Sequence, residues 1–423
     1  MSDRPKIIVL DDDPTGSQTV HSCLLLLRWD VETLRLGLAD AAPILFILTN
    51  TRALTPVEAA AVTRAVCQNL KQAIALTGLQ DFLLVSRSDS TLRGHYPTET
   101  DAIAAELGPF DAHFLTPAFF EGGRITRDST HYLLTACQPV PVSETEFARD
   151  SVFGYSTSYL PDYVAEKTSG RIQASEVERF LLADLRAGSF DRLMRLTGNV
   201  CCAVDAETQA DLDRFAQDLL AAARRGKRFL CRSAASLLTS LAQLGPQPVE
   251  AAAMAEYRRT PQPGVILVGS HVRKTTQQLQ ALLQLPDLAP LEVEVAQLRE
   301  TPDAEPAILA AILGRLHQAF DQGQTPVIYT SREELQFTSV QQRLEFGARV
   351  SQLLMDILRG LPSEVSFLIS KGGITSNDTL STGLNLRAAR LLGQILPGCS
   401  LVITPDDHPQ FPKLPVVLFP GNV

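Results

Sequence analysis

The feature that most constrains this fold is the alternation of short apolar runs with longer helical patterns along almost the whole sequence. Short β-branched or Leu-rich runs predict buried strands, and the stretches between them predict helices. Parallel strands need a crossover of a dozen or more residues, so this alternation indicates parallel sheets covered by helices. In the first half, the predicted strands are 6–10, 44–48, 82–85, 113–116, 200–204 and 228–231, and the predicted helices are 56–75, 97–107 and 206–225.

A second run of alternation starts at Gly264 and predicts a second domain. Prolines in the stretches 245–248 and 258–263 end helices and mark the boundary. We therefore predict an α/β protein of two domains, 1–248 and 249–423, with largely parallel sheets and an active-site cleft between the domains. The strands predicted in the second domain are 264–268, 325–329, 366–369, 401–404 and 415–418.

Composition narrows the class of protein. The 423 residues hold 38 Lys and Arg against 47 Asp and Glu, a net charge of −9 that argues against a nucleic-acid partner. No apolar run approaches the ~20 residues that span a bilayer, and the first one is too short for a signal peptide. Seven cysteines without a Cys-x-x-Cys pair predict reduced thiols in a cytoplasm. The histidines show no metal-ligand spacing, so no metal ligand is assigned.

Polar residues follow the predicted strands, and in open α/β sheets ligands bind beyond the carboxyl ends of the strands. The first strand ends in Asp11, Asp12 and Asp13. Three consecutive carboxylates repel one another unless cations or ligand hydroxyls compensate, and flanking charges should raise the pKa of Asp12. A solvated turn that caps a helix is the alternative. The position at a strand end favours a functional role.

The next two strands are also followed by polar residues. Arg52 comes after the second strand, where its guanidinium suits a substrate carboxylate, although an exposed loop arginine is the alternative. After the third strand come Arg87, Ser88, Asp89 and Ser90. A dense cluster of hydroxyls, guanidinium and carboxylate is what a small polyhydroxylated acid requires, whereas an ordinary polar loop is the alternative.

The stretch after the fourth strand is less specific. Gly122 and Gly123 permit close backbone approach or a hinge, and Arg124 adds positive charge. The segment 124–169 is rich in Ser, Thr, Pro and Tyr, which predicts a lid or another long functional excursion. Three histidines of this half are interpreted as structural residues rather than bases: His95, His113 and His131.

The second domain shows a different chemistry. Ser270 follows Gly269 between a predicted strand and a helix, where backbone amides and a hydroxyl can bind phosphate. A stronger signal is the strand-to-helix turn that begins at Lys371, because its two glycines let the backbone touch a phosphate chain. That turn continues through Gly372, Gly373, Ile374 and Thr375, and another glycine site follows the last strand at Gly421. Neither a Walker A motif nor Gly-x-Gly-x-x-Gly is present.

With these loops in hand, the sequence resembles the four-carbon acid sugar kinases over essentially the whole chain. The motifs that carry the resemblance stand in the family's order, each at a predicted strand end: Asp12-Asp13-Pro14-Thr15-Gly16, Arg52, Ser88-Asp89-Ser90-Thr91-Leu92-Arg93-Gly94, Gly269-Ser270 and Gly372-Gly373-Ile374-Thr375. The N-terminal half is similar to the family's sugar-acid-binding domain and the C-terminal half to its nucleotide-binding domain.

Three departures accompany the resemblance. The family commonly has Lys where Arg87 stands, and Pro14 replaces a hydrophobic or aromatic residue. Together with the extra Asp11, these changes suggest a subfamily with its own substrate. Members usually continue into a helix after the last Gly-Asn motif, whereas this sequence stops at Val423. The nucleotide site is then either open on one side or completed by residues from elsewhere.

The resemblance implies ATP-dependent phosphorylation of a terminal hydroxyl on a small sugar acid, with Mg²⁺ bridging the phosphates. Asp12 would be the catalytic base and Asp89 the second choice for that role. The substrate-binding residues would be Asp12, Asp13, Arg52, Arg87, Ser88, Asp89 and Ser90. The ATP-binding residues would be Ser270, Gly372, Gly373, Ile374, Thr375 and Gly421. A homo-oligomer is compatible with these expectations.

Two alternatives from other classes stay open. One is a non-catalytic sensor that keeps both binding sites and has lost phosphoryl transfer. The other is an NAD-linked hydroxy-acid dehydrogenase, which the absent glycine fingerprint disfavours. Neither the identity of the acid nor its stereochemistry follows from the sequence.

Overall fold

A computed structural model of the chain describes residues 4–14, 16–135, 138–332, 335, 337 and 340–421. Thr15 of the first motif and Asn422, the asparagine of the last Gly-Asn motif, therefore lie outside the described residues. The chain divides into two compact units, Met1–Gln247 and Pro248–Val423. Within the described ranges, no helix is both long and apolar enough to cross a membrane. The predicted cleft between domains stays a prediction.

The N-terminal unit is an α/β unit with one large parallel sheet and a small antiparallel one. Its strands are β1 (Lys6–Asp11), β2 (Cys23–Leu26), β3 (Ile44–Leu48), β4 (Phe82–Arg87), β5 (Ala112–Thr116), β6 (Arg124–Arg127), β7 (Thr130–Leu134), β8 (Pro139–Pro141), β9 (Glu178–Phe180), β10 (Val200–Val204) and β11 (Phe229–Ser233). The large sheet has the order β2-β3-β1-β4-β11-β5-β10-β9, and every neighbouring pair in it is parallel. Central β1 is buried along its whole length. The polar residues at its carboxyl end, Asp11 and Asp12, are therefore buried as well.

Helices cover this sheet, as the alternation predicts. They are α1 (Val31–Ala39), α2 (Pro56–Thr77), α3 (Thr98–Leu107), α4 (Leu160–Lys167), α5 (Leu182–Ala187), α6 (Phe190–Arg195), α7 (Gln209–Arg224) and α8 (Ala235–Ala242). The longest of them, α2, begins with a capping box in which Thr55 and Glu58 satisfy free backbone N–H groups, and it ends at Gly78 in the left-handed region. Phe114 of β5 packs edge-on against Phe215 of α7, which anchors that helix on the sheet.

The segment 124–169 forms the antiparallel sheet β6-β7-β8 and then short helical turns and α4. Its tyrosines hold the loop that follows β4. The Tyr155 hydroxyl donates to the Thr91 carbonyl oxygen at 2.6 Å, and the Tyr163 hydroxyl donates to the Leu92 carbonyl oxygen at 2.9 Å. This segment therefore packs on the loop with the richest polar motif of the sequence. Its predicted role as a lid stays a prediction.

The C-terminal unit has a mixed sheet. Its strands are β12 (Val265–Val268), β13 (Leu288–Val293), β14 (Thr325–Thr330), β15 (Leu368–Lys371), β16 (Ala388–Leu396), β17 (Cys399–Ile403) and β18 (Pro415–Phe419), and its helices are α9 (Arg273–Leu282), α10 (Val295–Glu300), α11 (Glu305–Asp321), α12 (Val340–Arg359) and α13 (Gly373–Asp378). The strand order is β13-β14-β12-β15-β18-β17-β16. The first five strands are parallel, and β17 pairs antiparallel with both of its neighbours.

Candidate active site

In the N-terminal unit, Asp12 follows β1 and is held by Arg52, which follows β3. Arg52 Nη2 lies 2.5 Å from Asp12 Oδ1, and Arg52 Nε lies 3.2 Å from Asp12 Oδ2. A third nitrogen, Arg52 Nη1, donates to Asp13 Oδ2 at 3.3 Å. Two parallel charge-assisted hydrogen bonds fix the orientation of a carboxylate as well as its charge. The structure thus brings Arg52, Asp12 and Asp13 together at the strand ends.

A chain of hydrogen bonds extends from Asp12 Oδ2, which also accepts from Arg52 Nε. Ser88 Oγ donates to Asp12 Oδ2 at 2.8 Å, and Arg232 Nη2 donates to Ser88 Oγ at 2.8 Å. Arg232 Nη1 also donates to Glu99 Oε2 at 2.6 Å. The ion pair is buried, with side-chain exposures of 7% for Arg232 and 5% for Glu99. Burying this ion pair costs desolvation free energy. In return, it orients the Arg232 guanidinium towards the Ser88 hydroxyl, which holds Asp12.

Sequence reasoning missed Arg232 and Glu99. A signal for Arg232 existed, because Arg232 and Ser233 directly follow the predicted strand 228–231, where the strand-end rule applies. The strand extends to Ser233. Glu99 lies in the first turn of α3, where an acidic residue is ordinary for any helix. No sequence signal distinguishes it.

Gly94 closes over this chain of hydrogen bonds. Its φ is +132°, a value that side-chain-bearing residues rarely adopt. A Cβ there would lie 2.3 Å from Ser88 Oγ and 3.2 Å from Asp12 Oδ2. Glycine is therefore required if the loop is to pass this close to Ser88.

Asp11, the last residue of β1, has a raised pKa. Its side chain is fully buried, and Arg87 Nη1 lies 3.4 Å from Asp11 Oδ1. Burial raises the pKa of Asp11 to about 7; the Arg87 guanidinium opposes this rise, and the Asp12 carboxylate reinforces it. Asp12 lies beside the guanidinium groups of both Arg52 and Arg87, with Arg87 Nη1 3.7 Å from its Oδ1. The effect of flanking charges that the sequence analysis expected for Asp12 stays a prediction.

Asp89 and Ser90 lie in the loop after β4. Burial favours the neutral form of Asp89, but Arg52, Arg93 and the hydrogen bonds from Thr91 and Arg93 outweigh it and lower the pKa to about 2. Arg93 Nε donates to Asp89 Oδ2 at 2.8 Å. The Ser90 carbonyl oxygen lies 2.7 Å from Nε2 of buried His131. The loop is therefore rigidly held with an ionised Asp89.

The three histidines interpreted above as structural, His95, His113 and His131, are buried and bonded to structural groups. His95 Nε2 lies 3.0 Å from the Thr51 carbonyl oxygen, and His113 Nδ1 lies 3.1 Å from the Asn199 carbonyl oxygen. Burial lowers the pKa of His131 to about 4 and also lowers the pKa of His113. Burial and bonding to backbone carbonyl oxygens match the structural interpretation of these three residues.

A pocket opens beside Ser88 and Arg232. It holds about 320 Å³ of space that no protein atom fills, including the open space at its mouth. Its lining combines polar and apolar groups: Ser88, Asp89, Leu92, Arg93, Tyr96, Leu115, Pro117, Tyr163, Arg232 and Ser233. Seven of these ten side chains carry polar atoms, and such a combination of polar and apolar groups suits a small polar ligand.

In the C-terminal unit, the ends of the neighbouring strands β12, β15 and β18 bring three glycine loops together. A Cβ on Gly269 would lie 2.1 Å from Thr375 Oγ1, and one on Gly421 would lie 2.9 Å from Ser270 Oγ. Gly372 has a φ of +122°, and its Cβ would lie 3.1 Å from Ser270 Cβ. The structure therefore gathers the glycines, Ser270 and Thr375 of the predicted nucleotide site.

Gly373 and Ile374 open α13 directly after this contact, and the Ile374 side chain is 65% exposed. Other side chains that the sequence analysis did not select support the loops. Thr275 Oγ1 donates to the Gly421 carbonyl oxygen at 3.0 Å, and Arg332 Nη2 donates to the Ser270 carbonyl oxygen at 2.5 Å. They come from the following helix and from a distant loop, so no local motif indicates them.

Lys371 is a third such side chain. Lys371 Nζ donates to the Pro420 carbonyl oxygen at 2.7 Å and lies 3.8 Å from the Phe419 ring centroid. Burial lowers the pKa of Lys371 to about 8, and nearby Lys274 adds to the decrease. In the described part of the chain, no three His, Cys, Asp or Glu side chains are arranged to hold a metal ion.

Comparison with known proteins matches each of the two units to a known domain family. Residues 7–241 match the model of a sugar-binding N-terminal domain, and residues 265–423 match that of a nucleotide-binding C-terminal domain. A D-erythronate kinase of Heliobacterium modesticaldum is 27% identical over 289 residues, which cover 65% of this chain and 60% of that protein. A D-threonate kinase of Bordetella bronchiseptica is 32% identical over 166 residues, 37% of this chain and 38% of that protein. These alignments span less than two thirds of either relative.

A solved structure shares the fold. A protein of Salmonella typhimurium LT2 superposes with a TM-score of 0.68 at 18% identity, covering 99% of this chain and 96% of its own. At this identity the likeness shows the fold alone. The matches to the two domain models, which stand in the order that the sequence motifs predict, show the family as well. The chain belongs to the four-carbon acid sugar kinase family.

Proposed function

We propose that this chain is an ATP-dependent kinase that phosphorylates a terminal hydroxyl of a small sugar acid, a tetronate, a 3-oxo-tetronate or a related acid. The observation that carries the proposal is the carboxylate of Asp12, held by Arg52 and Ser88 beside a small polar pocket. The names of the two curated relatives, D-erythronate kinase and D-threonate kinase, support the same reaction class.

Binding of the acid is assigned to the strand-end residues of the N-terminal unit. Arg52 and Arg87 would bind the carboxylate of the acid. Arg52 would use the N–H groups that are not already bonded to Asp12 or Asp13. The groups that would bind the hydroxyls of the acid are Asp12, Asp13, Ser88, Asp89 and Ser90. Five N–H donors on each arginine allow one guanidinium to serve a protein carboxylate and a ligand carboxylate together.

The catalytic base is assigned to Asp12, with Asp89 as the second candidate. The carboxylate must accept the proton, or orient the hydroxyl, as the oxygen attacks the γ-phosphorus and the bond from γ-phosphorus to the bridging oxygen breaks. Asp89 has a pKa lowered to about 2, which makes it a weak base and suits it to binding. Asp12 is buried, and its direction is fixed from two sides.

The nucleotide is assigned to the glycine loops of the C-terminal unit. Ser270, Gly372, Gly373, Ile374, Thr375 and Gly421 would hold ATP, and the glycines allow the backbone to approach its phosphates. The residues fit a phosphate-bound Mg²⁺, because the Ser270 and Thr375 hydroxyls stand beside the same glycines and this ion keeps several waters. Bound there, Mg²⁺ would neutralise charge on the phosphates.

The test is a screen of four- and five-carbon sugar acids with ATP, in which ADP release is followed and the product is identified by ³¹P NMR. The proposal predicts stoichiometric ADP and a phosphate monoester on the terminal hydroxyl for at least one tetronate. Binding of acid and ATP without ADP release would favour the sensor instead. Reduction of NAD with any acid would favour the dehydrogenase.

A further inference from the structure

A second polar cluster lies at the carboxyl ends of four neighbouring strands, and we call it the strand-end row. It consists of Asp11 in β1, Arg87 in β4, Ser233 in β11 and Thr116 in β5. Asp11 pairs in register with Arg87, Arg87 with Ser233, and Ser233 with Thr116. Residues paired across a sheet point to the same face, so the four side chains share one face.

This face is the opposite of the one that Arg232 occupies, since successive residues of β11 point to opposite faces. Arg232 and Ser86 pair in register and are hydrogen-bonded on that other face. The two clusters nevertheless approach each other at the top of the sheet, where Arg87 Nη1 lies 3.4 Å from Asp11 Oδ1 and 3.7 Å from Asp12 Oδ1.

Every member of the row carries a buried polar atom that has no hydrogen-bond partner among the described residues. These atoms are Asp11 Oδ2, Arg87 Nε, Thr116 Oγ1 and Ser233 Oγ. The residues are only 0% to 5% exposed. A buried polar group without a partner is costly, so four of them in one row indicate a partner that the protein itself does not supply.

The chemistry of the row specifies that partner. Arg87 Nε offers a charged donor, Asp11 Oδ2 offers an acceptor, and the two hydroxyls can donate or accept. Such a set matches a small molecule with one anionic group and several hydroxyls. Ser233 also lines the pocket beside Ser88, so the row borders space that is open to a ligand.

We propose that the strand-end row is a specificity-determining subsite that binds the carboxylate and adjacent hydroxyl groups of the sugar acid. The proposal rests on the proposed function and adds Asp11, Thr116 and Ser233 to the acid-binding residues. Two members of the row, Asp11 and Arg87, are in direct contact, with Arg87 Nη1 3.4 Å from Asp11 Oδ1.

The state of Asp11 agrees with this role. Burial raises its pKa to about 7, with Arg87 opposing the rise and Asp12 and Asp13 reinforcing it. Near neutral pH the carboxyl is therefore present in both forms. It can accept a hydrogen bond from a ligand hydroxyl or donate one to a ligand carboxylate.

The test is calorimetric binding of D-erythronate, D-threonate and their 2-deoxy analogue to the full chain without ATP. Ser233→Ala and Thr116→Val each remove one hydroxyl with little change of volume. Each should weaken binding of the preferred tetronate roughly fivefold to tenfold, the loss expected for one neutral hydrogen bond. At least one of the two should also reduce the ratio of affinities between the tetronate and the deoxy acid, which a purely structural role would not change.

Ser366→Ala is the matched control, because Ser366 is a buried serine of the C-terminal unit whose Oγ likewise lacks a hydrogen-bond partner. It should leave acid binding unchanged. Unchanged binding in both row variants, or an equal loss for every acid, would overturn the subsite, as would failure of all the acids to bind. Row-dependent acid binding without phosphoryl transfer would instead reject the kinase and retain the subsite.

Discussion

At the scale of single residues, Asp12 owes its position to groups that are distant in the sequence. Arg52 is 40 positions away and Ser88 is 76 positions away, yet Arg52 contacts both oxygens of the carboxylate and Ser88 contacts Oδ2. A carboxylate held at both oxygens cannot rotate away from a reacting hydroxyl. Positioning of this kind is what phosphoryl transfer demands of a protein.

Asp12→Asn tests this assignment. The variant keeps the size of the side chain but removes the charge and the capacity to accept a proton. We expect kcat for the sugar acid to fall about 10²–10⁴-fold with only a small change in the dissociation constant of the acid. Single-turnover kinetics and calorimetry measure the two quantities.

Asp13→Asn is the comparison variant, in which a smaller fall in kcat is expected, since Asp13 contacts Arg52 through one longer bond. A near-normal kcat in Asp12→Asn would move the role to Asp89 or Asp13. Complete loss of acid binding would make Asp12 an anchor for a hydroxyl instead.

Residues at strand ends were predictable from the sequence, and the same rule could have found the supporting residue Arg232, whereas no signal indicated Glu99. Asp12, Arg52 and Ser88 stand where the apolar runs stop, so a rule about parallel sheets found them. Glu99 lies in a helix, and its partner Arg232 comes from a strand 133 positions further on. Such a pair is created by tertiary packing alone.

At the scale of secondary-structure elements, the glycine loops of the C-terminal unit depend on close backbone approach. The parallel strands β12, β15 and β18 place their carboxyl ends side by side, and the loops that follow meet at Ser270. Each loop leads away from a strand that is mostly buried, which leaves little freedom for it to move aside.

Gly372→Ala tests the contact of these loops. The new Cβ would lie 3.1 Å from Ser270 Cβ at a φ of +122°, so both the loop and Ser270 must shift. We expect ATP affinity to fall at least about tenfold, the effect of losing one hydrogen bond to a charged phosphate. Gly323→Ala is the matched control, because Gly323 also has a positive φ but its Cβ would meet no atom within 4 Å. An equal effect of both variants on ATP affinity would show that the phosphate loop lies elsewhere.

The elements themselves were partly predictable. Strands with continuous apolar runs, such as β3 and β10, begin and end as predicted. In contrast, β16 carries Arg390, Gly393 and Gln394 among its apolar residues, so its pattern alternates poorly. Its register with β17 shifts between Leu391 and Gly393 and again between Gln394 and Leu396. Its hairpin with β17 also breaks the expectation of a parallel crossover, because only two residues connect the two strands.

At the scale of the whole molecule, each unit presents its polar cluster at the carboxyl ends of parallel strands. The N-terminal cluster combines carboxylates, guanidinium groups and hydroxyls, which suits a small hydroxy acid. The C-terminal cluster consists of glycines and hydroxyls, which suits phosphates. The central claim is therefore a division of labour, in which one unit binds the acid and the other binds the nucleotide.

Calorimetric titration of acid and of ATP into Gly94→Ala and Gly372→Ala tests this claim most directly. A Cβ on Gly94 would lie 2.3 Å from Ser88 Oγ, so it should displace the hydroxyl that holds Asp12. The account predicts that Gly94→Ala weakens acid binding about 10- to 150-fold and leaves ATP binding unchanged, whereas Gly372→Ala does the reverse. Loss of both ligands in either variant, with the fold intact by circular dichroism, would contradict the division of labour.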